Sequence, residues 1–132
     1  MTVDRSESSG RWRIGFRYAF AGIYYALRTQ KNTWVHTCFT VTALAVGFWL
    51  KIDLIEWALV ILVAGLVWST ELINTAVEAT LDLISPEPHP LAKVAKDVSA
   101  GGVLIAAGTA VCVGLLVFGP PLLERMLQLL GI

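Results

Sequence analysis

One stretch of the chain decides its fold. Residues 57–84 read WALVILVAGLVWSTELINTAVEATLDLI, and no charged residue interrupts the first half. The second half repeats polar side chains at helical spacing: Glu71, Asn74, Glu78 and Asp82. Residues three or four positions apart lie on one face of a helix. We therefore expect a membrane-spanning helix with one polar edge.

Two further apolar runs, residues 34–50 and 98–118, are long enough to cross a bilayer. Hydrophobic residues make up 56% of the chain and charged residues 15%, against about 45–50% and about 25% in soluble domains. The formal net charge is +0, so no basic field favours a nucleic-acid partner. These features predict an all-α integral membrane protein with three transmembrane helices.

The segment before the first span is typical of an amphipathic surface helix. Phe16, Phe20, Ile23 and Leu27 recur at spacings of four, three and four, which makes one apolar stripe flanked by arginines. Such a helix suits the headgroup region of a membrane. An ordinary helix packed on its own protein is the alternative.

The predicted boundaries follow the apolar runs and the prolines. Three prolines between residues 85 and 92 cannot continue a helix, and Gly119, Pro120 and Pro121 predict the end of the third span. In chain order we expect a disordered N-terminus 1–10 and a membrane domain 11–132, made of the surface helix 11–29, the spans 33–51, 56–84 and 96–118, the loop 85–92 and the tail 119–132.

The distribution of basic residues predicts the orientation. Six basic residues precede the first span, and Lys93 and Lys96 follow the second, whereas Lys51 and Arg125 stand alone on the other side. Basic loops stay in the cytoplasm. We therefore expect the N-terminus and the polar half of the second span at the cytoplasmic face, within reach of a cytosolic nucleotide.

The polar edge of the second span indicates chemistry. Three carboxylates on a membrane helix must face a protein interior or a wet cavity, and their charges repel unless a cation intervenes. Carboxylate oxygens suit Mg²⁺ shared with phosphate groups, and one more carboxylate can serve as a general base toward a hydroxyl. A polar cluster that guides helix packing is the structural alternative.

A second pattern lies in LAKVAKD, residues 91–97. Lys93, Lys96 and Asp97 share one side of the next helix. Lys96 can meet phosphate as a point charge, and Asp97 can hold a metal or a donor. Taken alone, the two lysines favour a solvated helix start; beside the polar edge of the second span they are more informative. The glycine-rich motifs of soluble nucleotide-binding proteins are absent.

These strings resemble a known family. ELINTAVEATLD (71–82), followed by HPLAKVAKD (89–97), is similar to the bacterial diacylglycerol kinase family, which includes the undecaprenol kinases. The likeness runs from RWRIGFRYAFAG (11–22) to the third span. It implies a homotrimer in the bacterial plasma membrane, with composite active sites between subunits at the cytoplasmic face. There, ATP with Mg²⁺ would phosphorylate a lipid hydroxyl.

The resemblance also implies roles for individual residues. Glu71 matches the general base and, with Ala100, the lipid site; Asn74 and Asp97 complete the predicted catalytic set. Glu78 and Gln30 match metal positions. The predicted nucleotide contacts are Arg11, Tyr18, Gln30, Glu78, Asp82, Glu87, His89 and Lys96, with Asp97 beside them. Gln30 departs from the family, whose best-known enzymes carry a glutamate there, so the metal would depend more on Glu78 and ATP itself.

Undecaprenol is the favoured acceptor, because the spacing of Asn32 and His36 and the AKVAKD string look closer to undecaprenol kinases. Diacylglycerol, giving phosphatidic acid, is the alternative. Two other classes stay open. One is an ion-conducting or proton-transporting protein that uses Glu71 and Glu78. The other is a non-catalytic assembly subunit.

Overall fold

The computed structural model describes residues 6–131, with side chains described from residue 15 onward. It contains four helices: α1 (Ser6–Thr29), α2 (Lys31–Leu50), α3 (Leu54–Ile84) and α4 (Pro90–Leu130). Over that range there is no β-strand. The predicted all-α fold is therefore confirmed, and α2, α3 and α4 are each long and apolar enough to cross a membrane.

The connection between α2 and α3 is a tight reversal with its own capping groups. Lys51 ends α2 in the left-handed conformation, with φ 57°. The Asp53 carboxylate then accepts from the N–H groups of Ile55 and Glu56, and the Glu56 carboxylate accepts from the N–H of Asp53. This capping box satisfies donors that the first turn of a helix otherwise leaves unpaired, so α3 begins antiparallel to α2.

The loop between α3 and α4 is shorter than predicted. His89 is the N-cap of α4, and its Nδ1 accepts from the N–H of Leu91 at 3.2 Å. Pro90 takes the first helical position, where the missing N–H is not needed and the fixed φ suits a helix. The irregular segment is thus 85–89 instead of 85–92, and residues 90–97 form the first turns of one long helix.

The prediction that the third helix ends at residues 119–121 is wrong. Helix α4 continues through Pro120 and Pro121 to Leu130. A proline in a helix interior costs about 3 kcal/mol, which made a helix end the natural expectation. The helix has tertiary contacts on both sides of the prolines: Val117 is buried in the core with Leu50, and further along α4 Arg125 lies over the Trp49 ring at 5.6 Å and donates to the Trp49 carbonyl at 3.4 Å.

Helix α1 begins at Ser6, inside the segment predicted to be disordered, since no proline interrupts residues 6–10. Its apolar stripe divides into two parts. Phe16 and Phe20 are exposed, whereas Ile23 and Leu27 are half-buried and Ala26 is fully buried. Because α1 contacts both α2 and α3, its C-terminal end is packed on the bundle and its outer end offers aromatic side chains to a membrane surface.

The bundle is held together at the end opposite α1. A small core forms there from Leu50, Ile52, Val60 and Val117. Gly47 lies so close to α3 that an added Cβ would meet Trp57 Cη2 at 2.9 Å. Most other large apolar side chains of the spans are exposed, as expected for helices whose solvent is lipid.

Candidate active site

The polar edge of α3 runs from the interior of the bundle to its surface. Glu71 and Asn74 are buried, Glu78 is half-buried and Asp82 is exposed. Helix α3 therefore brings the four predicted residues together on one face, and their depth decreases toward the α3–α4 loop. The start of α2 and the start of α4 flank this face.

Glu71 is the most deeply placed acid. Its side chain is 2% exposed, and its Oε1 accepts from the Thr33 hydroxyl at 3.4 Å. The other oxygen, Oε2, is buried without a hydrogen-bond partner among the described residues, and His36 Nε2 lies 3.9 Å away. An unpaired buried oxygen of this kind is unfavourable in a site built only for packing. It is the free acceptor that a general base needs.

Glu78 is the centre of a hydrogen-bonded chain across three helices. Its carboxylate accepts from the Gln30 amide at 3.2 Å and from the Asn74 amide at 3.1 Å. The Asn74 carbonyl oxygen in turn accepts from the Ser99 hydroxyl of α4 at 2.6 Å. Gln30 is the N-cap of α2 but makes no capping bond with its side chain, so its amide is available to Glu78.

The lysines of α4 divide between two partners. Lys96 reaches across to α3 and donates to Asp82 at 2.6 Å. Lys93 instead binds Asp97 on its own helix at 2.7 Å. Lys96 therefore joins the polar edge, whereas Asp97 lies on an exposed side of α4 and does not contact the other predicted site residues.

A groove that we call the loop groove follows the α3–α4 loop, and charged side chains lie among its prolines and alanine. It has a volume of ≈ 560 Å³. Four of the predicted nucleotide contacts line it: Asp82, Glu87, His89 and Lys96. Tyr18 on α1 and Ala100 on α4 are exposed and lie outside the groove. The side chain of Arg11 lies outside the described residues.

A second, apolar groove of ≈ 480 Å³ lies between α2, α3 and α4. His36 and Val67 line the end that adjoins Glu71, and Val46, Val60 and Phe118 line the far end. From His36 to Val46, ten residues of α2 correspond to about 15 Å. The polar edge of α3 thus runs from the loop groove, which contains charged side chains, toward the apolar groove.

The donor set fits a magnesium ion that is shared with phosphate groups. In the part of the chain with described side chains, no three carboxylate, imidazole or thiol groups converge as a cage. Mg²⁺ is commonly held by one or two protein carboxylates plus substrate phosphates. Glu78 supplies one carboxylate, and rotation of the Gln30 amide would turn its oxygen toward the same point.

Thr33 and Ser99 are contacts that the sequence did not predict. Thr33 directly precedes an apolar run and Ser99 lies in one, and neither carries a motif of its own. Ser99 stands three residues after Lys96, on the same side of α4, and that spacing is the one signal that pointed to it.

The fold and site define a small helical membrane protein with a buried carboxylate between the loop groove and the apolar groove. Comparison with known proteins identifies the family. The sequence model described as "Prokaryotic diacylglycerol kinase" matches residues 17–118. The chain belongs to this family, and it is accordingly a lipid kinase.

Individual relatives support the same family. The chain is 40% identical to the undecaprenol kinase of Bacillus subtilis over 119 residues, which cover 90% of this chain and 97% of that protein. It is 44% identical to the diacylglycerol kinase of Synechocystis over 114 residues, or 86% of this chain and 65% of that protein. The diacylglycerol kinase of Escherichia coli K12 is 31% identical over 104 residues, or 74% of this chain and 85% of that protein.

Proposed function

We propose that this lipid kinase transfers the γ-phosphate of ATP to the hydroxyl of undecaprenol, giving undecaprenyl phosphate. The observation that carries the proposal is the Glu71 carboxylate, which is buried, has an oxygen without a hydrogen-bond partner among the described residues, and lies 3.9 Å from His36, a lining residue of the apolar groove. A lipid whose chain occupies that groove would present its hydroxyl beside this oxygen.

In the proposed reaction, Glu71 Oε2 takes the proton of the lipid hydroxyl. The lipid oxygen forms a bond to the γ-phosphorus, and the bond from that phosphorus to the β–γ bridging oxygen breaks, which releases ADP. Phosphoryl transfer demands mainly positioning and charge stabilisation. In this step the Thr33 hydroxyl holds the base in place, and the hydrogen-bonded chain around Glu78 supplies the positioned polar groups.

The nucleotide is assigned to the loop groove and the outer part of the polar edge. Lys96 offers a positive charge to phosphate oxygens once it exchanges its bond to Asp82. Glu78 and Gln30 would hold Mg²⁺, which supplies neutralisation of the phosphate charge when it is bound. Arg11 and Tyr18 of α1 stay proposed as nucleotide contacts, Asn74 and Asp97 as members of the catalytic set, and Ala100 as a residue near the lipid.

The choice of undecaprenol rests on how much of each relative the match covers, since the identity to the Synechocystis diacylglycerol kinase is slightly higher, 44% against 40%. The match to the undecaprenol kinase spans nearly that whole protein, whereas the match to the Synechocystis diacylglycerol kinase leaves a third of that protein uncovered. Diacylglycerol is the second candidate, because most of the relatives reported above carry that name and its acyl chains also suit an apolar groove.

The position of the carboxylates along the membrane-spanning helices disfavours a proton or cation path. Glu71 lies beside Thr33, in the first turn of α2, so the acids occupy one end of the bundle and not its middle. A non-catalytic subunit would have no use for a buried unpaired carboxylate oxygen. We also propose the cytoplasmic orientation of this end and assembly as a homotrimer, which would cover part of the exposed apolar surface of the spans.

A transfer assay distinguishes these functions. Purified protein in detergent micelles receives radiolabelled ATP, Mg²⁺ and either undecaprenol, diacylglycerol or a short-chain alcohol. We expect label in undecaprenyl phosphate above all. Preference for diacylglycerol would reverse the choice of acceptor. Absence of transfer to every lipid, together with ATP-independent ion flux in liposomes, would replace the kinase proposal by the transport function.

A further inference from the structure

We propose that His36 is a positioning residue for Glu71, holding the carboxylate so that Oε2 faces the end of the apolar groove. This role rests on the proposed function of Glu71 as the base. The two side chains approach from different helices, with His36 Nε2 3.9 Å from Glu71 Oε2. The imidazole is 16% exposed and the carboxylate 2%.

The other hydrogen-bond donors near Glu71 already have acceptors. The Thr33 hydroxyl is directed to Oε1, and the Thr75 hydroxyl donates to the backbone carbonyl of Glu71 at 2.9 Å. The amides of Gln30 and Asn74 both donate to Glu78. Among the side chains that the structure describes, His36 is therefore the group that can restrain Oε2.

The distance also leaves room for the reaction. A nitrogen–oxygen hydrogen bond measures about 2.7–3.2 Å, so at 3.9 Å His36 lies next to Oε2 without occupying its lone pair. A shift of about 1 Å would close the contact. His36 also lines the apolar groove, so an alcohol that arrives along the groove meets the imidazole and Oε2 together. A base held in one rotamer gives faster transfer than a mobile base, because small misplacements of reacting groups slow catalysis strongly.

The inference is tested by exchanging the imidazole for groups that keep or lose its N–H donor. His36→Phe keeps a planar ring and removes the donor, whereas His36→Gln keeps a donor. Cys38→Ala is the matched control, since Cys38 lies two positions further along α2 and is exposed. Thermal unfolding and elution volume verify that each variant is folded. We measure kcat and the KM values for ATP and for the lipid.

We expect His36→Phe to lower kcat roughly 10-fold, because the contact that closes after the shift of about 1 Å is a hydrogen bond to a charged group, with both KM values within about twofold of wild type. His36→Gln should recover most of kcat, and Cys38→Ala should match wild type. An unchanged kcat in folded His36→Phe would overturn the proposal. A loss confined to the lipid KM, or equal losses in Phe and Gln variants, would do the same.

A spectroscopic measurement separates this inference from the proposed function. The chain has 2 histidines, so the imidazole ¹⁵N resonances of His36 and His89 are assigned by the His36→Gln variant. Glu71→Gln should move the His36 resonances and leave those of His89 in place. This result is expected whether or not any lipid is phosphorylated. If the His36 resonances do not change in Glu71→Gln, the positioning role is wrong and the proposed function is unaffected. If the wild-type protein phosphorylates none of the lipids, the proposed function is wrong and the positioning role is unaffected.

Discussion

A glutamate in place of Gln30 should make the stability of the protein depend on magnesium. The Gln30 amide now donates to the Glu78 carboxylate at 3.2 Å. Gln30→Glu replaces that attraction by two negative charges at about the same separation. The repulsion is about 1 kcal/mol with the dielectric of water and about 5 kcal/mol with an effective value of 20. The lost hydrogen bond to a charged group adds about 2 kcal/mol.

Because both side chains are only half-buried, water screens part of the repulsion. We expect the variant to be about 3–5 kcal/mol less stable than wild type without divalent ions. Mg²⁺ between the two carboxylates should reverse most of this loss. The Mg²⁺ concentration for half-maximal activity should fall several-fold, because a carboxylate is a stronger ligand than an amide for a hard cation.

The assay is thermal unfolding in detergent micelles across a Mg²⁺ titration, followed by the kinase assay at constant ATP. Gln128→Glu provides the control, since it makes the same chemical change at an exposed site at the far end of α4. The reasoning is refuted when Gln30→Glu is as stable as wild type in chelator, or when Mg²⁺ stabilises it no more than it stabilises Gln128→Glu.

Three further substitutions test separate parts of the structure. Gly47→Ala should destabilise the fold by about 1–3 kcal/mol, because the new Cβ would meet the Trp57 ring at 2.9 Å; an unchanged melting temperature would contradict the close packing at that turn. Asp53→Ala removes the α3 capping box and should cost about 1 kcal/mol, measured in the same unfolding assay. Lys96→Met should raise the KM for ATP about 10-fold with little effect on stability, since its pair with Asp82 is largely exposed and exposed ion pairs add little to stability. An ATP KM equal to that of wild type would remove Lys96 from the phosphate site.

The three spans and the polar edge of α3 could be predicted because each depends on local periodicity and hydropathy. A run of residues such as 57–84 carries its own evidence for a membrane helix, and the spacing of Glu71, Asn74, Glu78 and Asp82 places them on one face in any helical context. The family motifs then suggested what that face does.

Contacts between helices could not be predicted in the same way. The bond from Ser99 to Asn74 and that from Thr33 to Glu71 depend on the rotation and depth of α4 and α2 relative to α3, which no single segment encodes. The pairing of Asp97 with Lys93 is an i,i+4 contact. The sequence alone could not show that Lys93 pairs with Asp97 while Lys96 binds Asp82 on the polar edge, because this division depends on how α4 packs against α3.

The continuation of α4 through Pro120 and Pro121 shows the same limit. Local propensity favours a helix end at these residues. The contact of Arg125 with Trp49 at the end of α2 is a long-range interaction, and it becomes visible only when the helices are packed.

The most direct test compares Glu71→Gln with Glu124→Gln in single-turnover phosphate transfer from ATP to undecaprenol. Both variants exchange a carboxylate for an amide of the same shape, but Glu124 is exposed near the end of α4, far from the grooves. Removal of a general base should slow transfer roughly 10²–10⁴-fold while ATP binding, followed with a fluorescent analogue, is retained. Glu124→Gln should transfer at the wild-type rate. Equal rates in the two variants would show that the buried acid of α3 is not the group that activates the lipid.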